Sequence, residues 1–399
     1  MSELSGAARD AADTSTMRWV TGDVRRVLVA QLLFGFGWSI FLLLPKYYTT
    51  VLHVGPEHLG RISSTGGVVG LLAAPLAGYA LDRLGRVTFF RVGCALLLLL
   101  ALGFLQVREA GLAVYLLQAL VTSAFVLSFN STAALITDHA PAEQMGRAIG
   151  WLGGVNVAMN AVATVVAEPL AERFGWSSVF ILAAVTAVAA LAFSLSLREC
   201  GGSMAAVQGA TTGAAPAVGS IVVVLSVTVL NGACFIAVFS FIQPYVLDLG
   251  GKEIRYFLIG FSAAAVLCRV LMGGLGDRFG RSLVSGAALC GYGLCAYFMV
   301  SLDTSRLLLY GLLFGAAHGV LYPTLNALVA SIMPVSRRGL AMVLYNAAFN
   351  LGMIVGAFGW GRLAERRGYP SMYELVAWVA GVAAAFLWWR RPERLAASE

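Results

Sequence analysis

Charged residues are scarce in this chain of 399 residues: Asp, Glu, Lys and Arg together make up 12% of it, whereas 59% is hydrophobic. Soluble domains carry about 25% charged and about 45–50% apolar residues, so this chain lacks the charge that a water-exposed surface requires. A membrane-spanning helix takes about 20 apolar residues, and twelve such helices would use roughly 60% of the chain. The composition therefore predicts an all-α membrane protein with 12 transmembrane helices, and it excludes a large soluble catalytic domain and a nucleic-acid-binding module.

Residue groups that carry chemistry are also missing. The six cysteines form no CxxC pair, and no nucleotide-binding loop, metal-ligand cluster or nucleophile with its base lies in a loop long enough to fold. The glycine-rich runs lie within apolar stretches, where small residues allow helices to pack closely. We therefore expect no enzymatic activity, no cofactor and no metal site, and any transport must draw on a gradient.

The apolar stretches form two groups of six, separated by a Gly- and Ala-rich segment at 198–219. They predict a tail at 1–24, a six-helix bundle at 25–197, a linker at 198–218, a second bundle at 219–391 and a tail at 392–399. With this arrangement, sixteen of the 27 Lys and Arg residues fall on the side of the N-terminus and ten on the other. Basic residues collect on the cytoplasmic side of short loops, so both termini are expected in the cytoplasm.

Two motifs recur at nearly the same distance along the chain. GYALDRLGR at 78–86 matches GGLGDRFGR at 273–281 with an offset of 195 residues, and LAERFGW at 170–176 matches LAERRGY at 363–369 with an offset of 193. Transporters are often built from duplicated helix bundles that face a shared cavity. The repeat therefore indicates two six-helix halves of common parentage.

The motif GYALDRLGR resembles the loop signature of the major facilitator superfamily, and its second copy strengthens the match. The resemblance implies two pseudo-symmetric six-helix bundles around a central cavity that opens to one side at a time. It also implies a gating role for the two loops and their residues Gly78, Asp82, Arg83, Gly85, Arg86, Gly273, Asp277, Arg278, Gly280 and Arg281. We expect Asp82 to face the start of span eleven and Asp277 the start of span five, where helix dipoles and arginines can hold a carboxylate. The alternative role is a topological anchor.

Arg269 is the most informative candidate for the transport path. It lies about three residues past the centre of span eight, where a guanidinium that faces lipid costs at least ~2.5 kcal/mol. It is therefore a counter-charge for an anionic solute or coupling carboxylate, or else a structural pair or a side chain that snorkels to the headgroups. Because no Asp or Glu lies near a span centre, proton coupling falls to His318 in span ten or to a boundary carboxylate. A buried, neutral His318 is the alternative.

Polar amides and aromatic residues complete the candidate cavity. Asn156 and Asn160 share one face of span five, and Asn346 and Asn350 share one face of span eleven, so each pair could bind a solute or another helix. Weaker candidates of the same kind are Gln31, Asn130, Trp38 and Tyr322.

The preferred hypothesis is a monomeric carrier of a bacterial-type cytoplasmic (inner) membrane that exports a small organic solute in exchange for protons. Its C-terminal half resembles the efflux-permease branch, although Gln118 stands where drug antiporters carry arginine and span five lacks their G-P-x-x-G-G motif. Two alternatives remain. Arg269 and Lys46 support the uptake or exchange of a carboxylate, and a non-transporting receptor or scaffold could keep the same fold.

Overall fold

The computed structural model describes residues 22–140, 145–199, 218–272, 274–334 and 337–393. Nearly all of them are helical. In chain order the helices are α1 Gly22–Thr50, α2 Pro56–Leu84, α3 Arg86–Phe104, α4 Leu112–His139, α5 Met145–Phe174, α6 Trp176–Ser196, α7 Val218–Asp248, α8 Arg255–Met272, α9 Arg281–Met299 and α10 Leu307–Ser331. A last helical stretch, Arg338–Arg390, is interrupted at Gly368, and its parts before and after that residue are α11 and α12.

The prediction of twelve membrane crossings is confirmed. In the described part of the chain, ten helical stretches are long and apolar enough to span a bilayer. The last of these contains the break at Gly368 and so supplies two crossings. Helix α2 has 29 residues, which is about 44 Å at about 1.5 Å per residue, and supplies the twelfth.

Each repeated motif has, as its last residue but one, a glycine at which the chain reverses between two helices. Gly85 and Gly280 separate α2 from α3 and α8 from α9, with φ of 85° and 95°. Gly175 and Gly368 separate α5 from α6 and α11 from α12, with φ of 79° and 80°. Side chains rarely tolerate this backbone region, which explains why glycine stands at all four positions. The repeat seen in the sequence is therefore a repeat of helical hairpins.

Glycines also bring helices of the second half into direct backbone contact. A Cβ added at Gly352 of α11 would lie 2.0 Å from the Val229 carbonyl oxygen of α7. Gly311 and Gly315 of α10 lie equally close to the carbonyl oxygens of Phe257 and Phe261 in α8. Such contacts are typical of helices in membranes, where close van der Waals packing drives association.

The helices alternate in direction, so the bundle has two ends. The terminal face carries the start of α1, the end of α12 and the hairpins at Gly85 and Gly280, and the distal face carries the hairpins at Gly175 and Gly368. Helix α1 begins at Gly22, so the predicted N-terminal tail of 1–24 runs into it, and α7 begins at Val218, one residue before the predicted second bundle. Helices begin and end within a few residues of such estimates because hydropathy varies smoothly along the chain.

The two halves meet along two helix pairs, α2 with α11 and α5 with α8. At the first contact, a Cβ added at Gly60 would lie 2.3 Å from the Ala357 carbonyl oxygen, and one at Gly67 would lie 2.6 Å from a side-chain carbon of Ile354. At the second contact, Gly153 of α5 lies against the Arg269 side chain of α8. These pairs are related by the repeat, since each joins the second helix of one half to the fifth helix of the other.

Candidate functional site

A buried ion-pair cluster joins the two halves at the distal face. Lys46 of α1 places its Nζ 2.6 Å from Glu168 Oε1 and 3.2 Å from Glu172 Oε1, both on α5. Glu168 is fully buried and Lys46 is 6% exposed. The carboxylate of Glu168 also accepts hydrogen bonds from the backbone N–H groups of Ile254 and Arg255, at 2.9 Å each, in the second half. We name Lys46, Glu168 and Arg255 the distal cluster.

Two further contacts cross the distal face beside this cluster. Gln243 of α7 donates to the Leu42 carbonyl oxygen at 2.7 Å and accepts from the Lys46 backbone N–H at 3.2 Å. Lys46 Nζ also donates to the Lys252 carbonyl oxygen. On the other side of the bundle, the backbone N–H of Glu57 donates to the Glu365 carboxylate at 3.2 Å. Hydrogen bonds between described residues of the two halves therefore hold the distal face closed.

At the terminal face, the repeated loops bond within their own halves. Arg86 forms an ion pair with Asp138 and donates to the Ala134 carbonyl oxygen at 3.4 Å. Its counterpart Arg281 donates to the Ala327 carbonyl oxygen at 3.0 Å and forms an ion pair of 2.8 Å with Asp277. The two arginines thus tie equivalent helices together, α3 to α4 and α9 to α10.

The expected contact of Asp277 with the start of α5 falls on side chains, those of Gln144 and Arg147, that lie outside the described residues. Its described ion pair is with Arg281 of its own loop, and its side chain is 68% exposed. Arg83 and Arg278 are both exposed. Gly78 lies within α2, whereas the side chain of Asp82 and all of Gly273 lie outside the described residues. Among the described residues of these loops, the ion pairs and hydrogen bonds therefore stay within one half.

Arg269 lies in the last turn of α8, three residues before the helix ends at Met272, so it is farther along its helix than the sequence suggested. A short helix, Leu275–Phe279, follows, and a hydropathy window does not separate the two. The Nε of Arg269 is buried and has no hydrogen-bond partner among the described residues. A Cβ at Gly153 of the first half would lie 3.7 Å from its Nη1, which places the guanidinium at the junction of the halves.

An apolar groove of about 450 Å³ runs between α5 and α8 on the distal side of Arg269. It is lined by Ala158, Ala161, Ile259, Ser262, Ala263, Val266, Leu267 and Val270. Ser262 and Arg269 are seven residues apart and so share one face of α8. The Ser262 hydroxyl, like the Arg269 Nε, is buried without a partner in the described part of the chain. The lining of the groove is thus apolar except for Ser262, and Arg269 lies farther along the same helix without lining the groove.

His318 of α10 is enclosed by aromatic rings and is 7% exposed. Its Nδ1 lies 2.6 Å from the hydroxyl of Tyr292, and its ring packs 4.9 Å from Phe235 and 5.6 Å from Phe261 and Tyr322, between ring centroids. These contacts favour a neutral imidazole that packs inside the second half. A role in proton transfer stays a prediction.

The amides of α5 bond to α1 within the first half. Gln31 is fully buried, donates to Asn156 at 2.8 Å and accepts from the hydroxyls of Ser128 and Thr132 at 3.1 and 3.0 Å. Asn160 accepts from the Ser39 hydroxyl at 2.9 Å. Asn156 and Asn160 are each partly exposed, so both keep some capacity to bind a solute. Gln31 is fully buried and is not accessible to a solute, and its hydrogen bonds connect α1, α4 and α5.

Trp38 and Asn130 lie elsewhere in the first half. The Trp38 indole N–H donates to the Val121 carbonyl oxygen at 2.9 Å, and its ring stacks on Phe125 with centroids 4.5 Å apart. Asn130 is exposed and donates to the Val126 carbonyl oxygen of its own helix at 2.8 Å. Neither is brought to Arg269 by a described contact.

The second half presents a polar and aromatic group around α11. Tyr322 donates to Asn346 at 3.4 Å, and Asn350 donates to the Asn346 carbonyl oxygen at 2.8 Å. A Cβ at Gly70 of α2 would lie 2.5 Å from Asn350 Oδ1, which places this amide at the junction of the halves. Asn231 of α7 is fully buried, and neither polar atom of its amide has a partner among the described residues.

Sequence reasoning counted Glu168 among the boundary carboxylates and did not single it out, because it lies near the end of an apolar span, where carboxylates commonly face the headgroups. Glu168 lies six residues before the end of α5 at Phe174, which is a depth of about 9 Å, and this depth could have indicated a buried carboxylate. A carboxylate at that depth needs a cationic partner, and Lys46 lies at a matching depth in α1.

Comparisons with known proteins agree with this architecture. The sequence profile of the Major Facilitator Superfamily matches residues 27–250 and again 224–399. The multi-drug resistance efflux pump PmrA of Streptococcus pneumoniae is 25% identical over 358 residues, which are 84% of this chain and 88% of that protein. The niacin transporter NiaP of Acinetobacter baylyi is 33% identical over 131 residues, 30% of this chain and 29% of that one.

Solved structures share the fold at low sequence identity. The nucleoside transporter NupG has a TM-score of 0.76 at 16% identity, with 91% of this chain and 98% of that chain covered. The inward open xylose transporter XylE from E. coli has a TM-score of 0.72 at 16% identity, with 92% and 95% covered. With two matching halves, twelve crossings and these relatives, the chain belongs to the major facilitator superfamily of membrane transporters.

Proposed function

We propose that this transporter exports a small organic solute from the cytoplasm in exchange for protons, with both chain termini on the cytoplasmic side. The observation that carries the proposal is the asymmetry of the junction. Described hydrogen bonds join the halves at the distal face, whereas the loops of the terminal face bond within their own halves. A carrier that alternates between two accessible sides needs such one-sided closure.

The charge distribution supports the orientation. In the predicted topology, sixteen Lys and Arg residues fall on the side of the chain termini and ten on the other, with Arg269 between them. Basic residues favour the cytoplasmic side, so the described conformation is open toward the cytoplasm. The likeness to an efflux pump over most of the chain supports export as the direction.

A cross-link between the halves tests whether rocking drives transport. Cysteines at Gly67 and Ile354 would place their Cβ atoms within disulfide range, because a Cβ at Gly67 already lies 2.6 Å from Ile354 Cγ1. In a variant without native cysteines, oxidation is expected to abolish efflux of the dye ethidium from energised cells, and a reducing agent is expected to restore it. The two single-cysteine variants are the matched controls. A scaffold with no transport role would show no oxidation-dependent change.

Proton exchange has its own readout in the same cells. A protonophore is expected to raise ethidium accumulation in cells that make the protein to the level of cells without it. Unchanged accumulation on expression, together with no flux of any organic solute in proteoliposomes, would overturn the proposed function.

A second candidate is uptake or exchange of an organic anion, which the unpaired Arg269 Nε beside the apolar groove favours. An amphipathic carboxylate could place its tail in the groove and its head on the guanidinium. Counterflow of labelled organic acids into proteoliposomes tests this function. It predicts uptake by the unmodified protein, a loss of about tenfold or more in Arg269→Gln and a smaller loss in Arg269→Lys. Absence of acid uptake by the unmodified protein would exclude it.

A further inference from the structure

Glu168 stands apart from the other acidic residues of the molecule. Among the carboxylates whose side chains the structure describes, it alone is fully buried. It lies within α5, beside Pro169, and belongs to the distal cluster rather than to the amides and aromatic rings of the candidate solute site. A proton-driven carrier needs a titratable group whose access to water changes with conformation, and the distal cluster is where such a change must occur.

We propose that Glu168 is a proton-binding site, and that binding of a proton there releases the distal closure between the two halves. The proposal rests on the proposed function, since it names the residue through which protons would act on the same transporter.

The partners of Glu168 explain why one proton would matter. Its oxygens accept from Lys46 Nζ at 2.6 Å and from the backbone N–H groups of Ile254 and Arg255 at 2.9 Å, and the Arg255 guanidinium lies 3.7 Å away. Ile254 and Arg255 belong to the second half, so the carboxylate is itself the bond between the halves. A proton from the water at the distal face forms an O–H bond on one oxygen. That oxygen then carries no charge and donates rather than accepts, so the attraction to its cationic and N–H partners falls.

The other charged groups near Glu168 lie on α5, on α7 and in the connection between α7 and α8, and their contacts differ from those of Glu168. Helix α5 adds Glu172, whose side chain is 40% exposed and whose described ion pair is with Lys46 at 3.2 Å. The connection between α7 and α8 adds Glu253, which pairs with Arg255, and Lys252, which contributes its carbonyl oxygen. Helix α7 contributes the neutral Gln243 and, at its exposed end, Asp248. Within this group Glu168 is the carboxylate that directly contacts both halves.

The inference can be tested without any solute. Spin labels on cysteines at Glu109 and Ser301, in the distal loops of the two halves, report the distance across the distal face by pulsed electron paramagnetic resonance. The protein, with native cysteines replaced, is placed in lipid nanodiscs and titrated from about pH 8 down to about pH 4, because a carboxylate with cationic partners takes up a proton only under acidic conditions. The fraction with a long distance is expected to grow on acidification, and the open-to-closed ratio can change by up to about tenfold per pH unit for one proton.

Two variants separate Glu168 from another carboxylate of the distal face. Glu168→Gln keeps the shape but binds no proton, so it is expected to show the long distance at every pH. Asp248→Asn, at the exposed end of α7, is the matched control and is expected to respond to pH like the unmodified protein. The proposal is overturned if the unmodified protein shows no pH response, or if Glu168→Gln keeps that response.

Lys46→Gln decides the matter if Glu168→Gln does not yield a monodisperse protein. Loss of the ammonium group favours the neutral carboxyl, so the midpoint of opening is expected to move to higher pH. An unchanged midpoint would contradict the assignment. Because no solute is present, failure here leaves the cross-linking and flux tests of the proposed function unaffected, and failure of those tests leaves this titration readable.

Discussion

Glu199 and Glu393 occupy equivalent places in the two halves and cap equivalent helices. Glu199 accepts from the backbone N–H groups of Arg86 and Val87 at the start of α3, at 3.1 and 2.6 Å. Glu393 accepts from the backbone N–H of Ser282 at the start of α9, at 3.2 Å. Each carboxylate follows the last helix of its half and connects that helix to the repeated loop. It binds at the start of α3 or α9, where the helix dipole favours a negative charge.

Removal of the Glu199 charge is expected to loosen this closure. Glu199→Gln should lower the stability of the detergent-solubilised protein by about 0.5–2 kcal/mol, since the amide is a weaker partner for the free N–H groups. The measurement is the apparent midpoint of thermal unfolding. Glu393→Gln is the matched variant and should shift it in the same direction. Equal midpoints in all three proteins would contradict the capping role.

Alanine at a hairpin glycine is expected to strain the backbone. Gly280 has φ of 95°, whereas Gly274, six residues earlier, has φ of −91° and open space around its Cβ position. Gly280→Ala should destabilise the protein by about 1–3 kcal/mol, and Gly274→Ala should have little effect. Thermal unfolding of the two variants side by side checks the difference, and equal midpoints would count against strain.

A side chain at Gly352 is expected to disrupt the packing of α7 on α11. Any Cβ there meets the Val229 carbonyl oxygen at 2.0 Å, so the helices must separate. Gly381 of α12 has no atom within 4 Å of its Cβ position and serves as the control. Gly352→Ala should reduce the yield of monodisperse protein on size-exclusion chromatography, and Gly381→Ala should not. Normal yield of the first variant would refute the tight contact.

Gln31 is expected to act on stability and not on solute affinity. Gln31→Leu removes the acceptor of the fully buried Ser128 hydroxyl and the donor to the Asn156 amide, and an unsatisfied buried group costs about 1–3 kcal/mol. The thermal midpoint should fall, whereas the solute concentration for half-maximal flux should stay the same. A large change in that concentration with an unchanged midpoint would place Gln31 in the binding site.

His318 is expected to be silent in the pH dependence of transport. Its ring is packed among aromatic side chains and its Nδ1 is bonded to the Tyr292 hydroxyl. His318→Asn should lower stability, yet the pH profile of flux should keep its midpoint, because a ring enclosed by aromatic side chains has little contact with water. A shifted profile would return His318 to the coupling path.

The helices and the repeat could be predicted from the sequence, because apolar length and glycine placement act locally. The glycines of the two motifs, such as Gly85 and Gly280, mark turns between helices, and a few neighbouring residues are enough to recognise them. Arg269 was predicted too near the middle of its helix, since a hydropathy window does not separate α8 from the short helix after it. The groove between α5 and α8 that Ser262 lines could not be predicted, because it depends on how the two helices pack.

The distal cluster and the two capping glutamates could not be predicted in the same way. Lys46 and Glu168 are 122 residues apart, and only the packing of α1 on α5 brings them within 2.6 Å. Glu199 and Glu393 lie in segments that were predicted to be a linker and a tail, whose composition indicates no structure. Long-range electrostatic partners depend on the register between helices, which the local pattern does not contain.

The contact between α2 and α11 has a consequence for the speed of transport. At Gly60 and Gly361 the two backbones touch with no side chains between them. Helices that slide at this point have no interlocked side chains to rearrange, so this contact offers little resistance to sliding. The rate at which the carrier cycles would then be limited by the breaking of charged bonds at its rim, and a viscous or thickened lipid would slow it less than a change of acidity would.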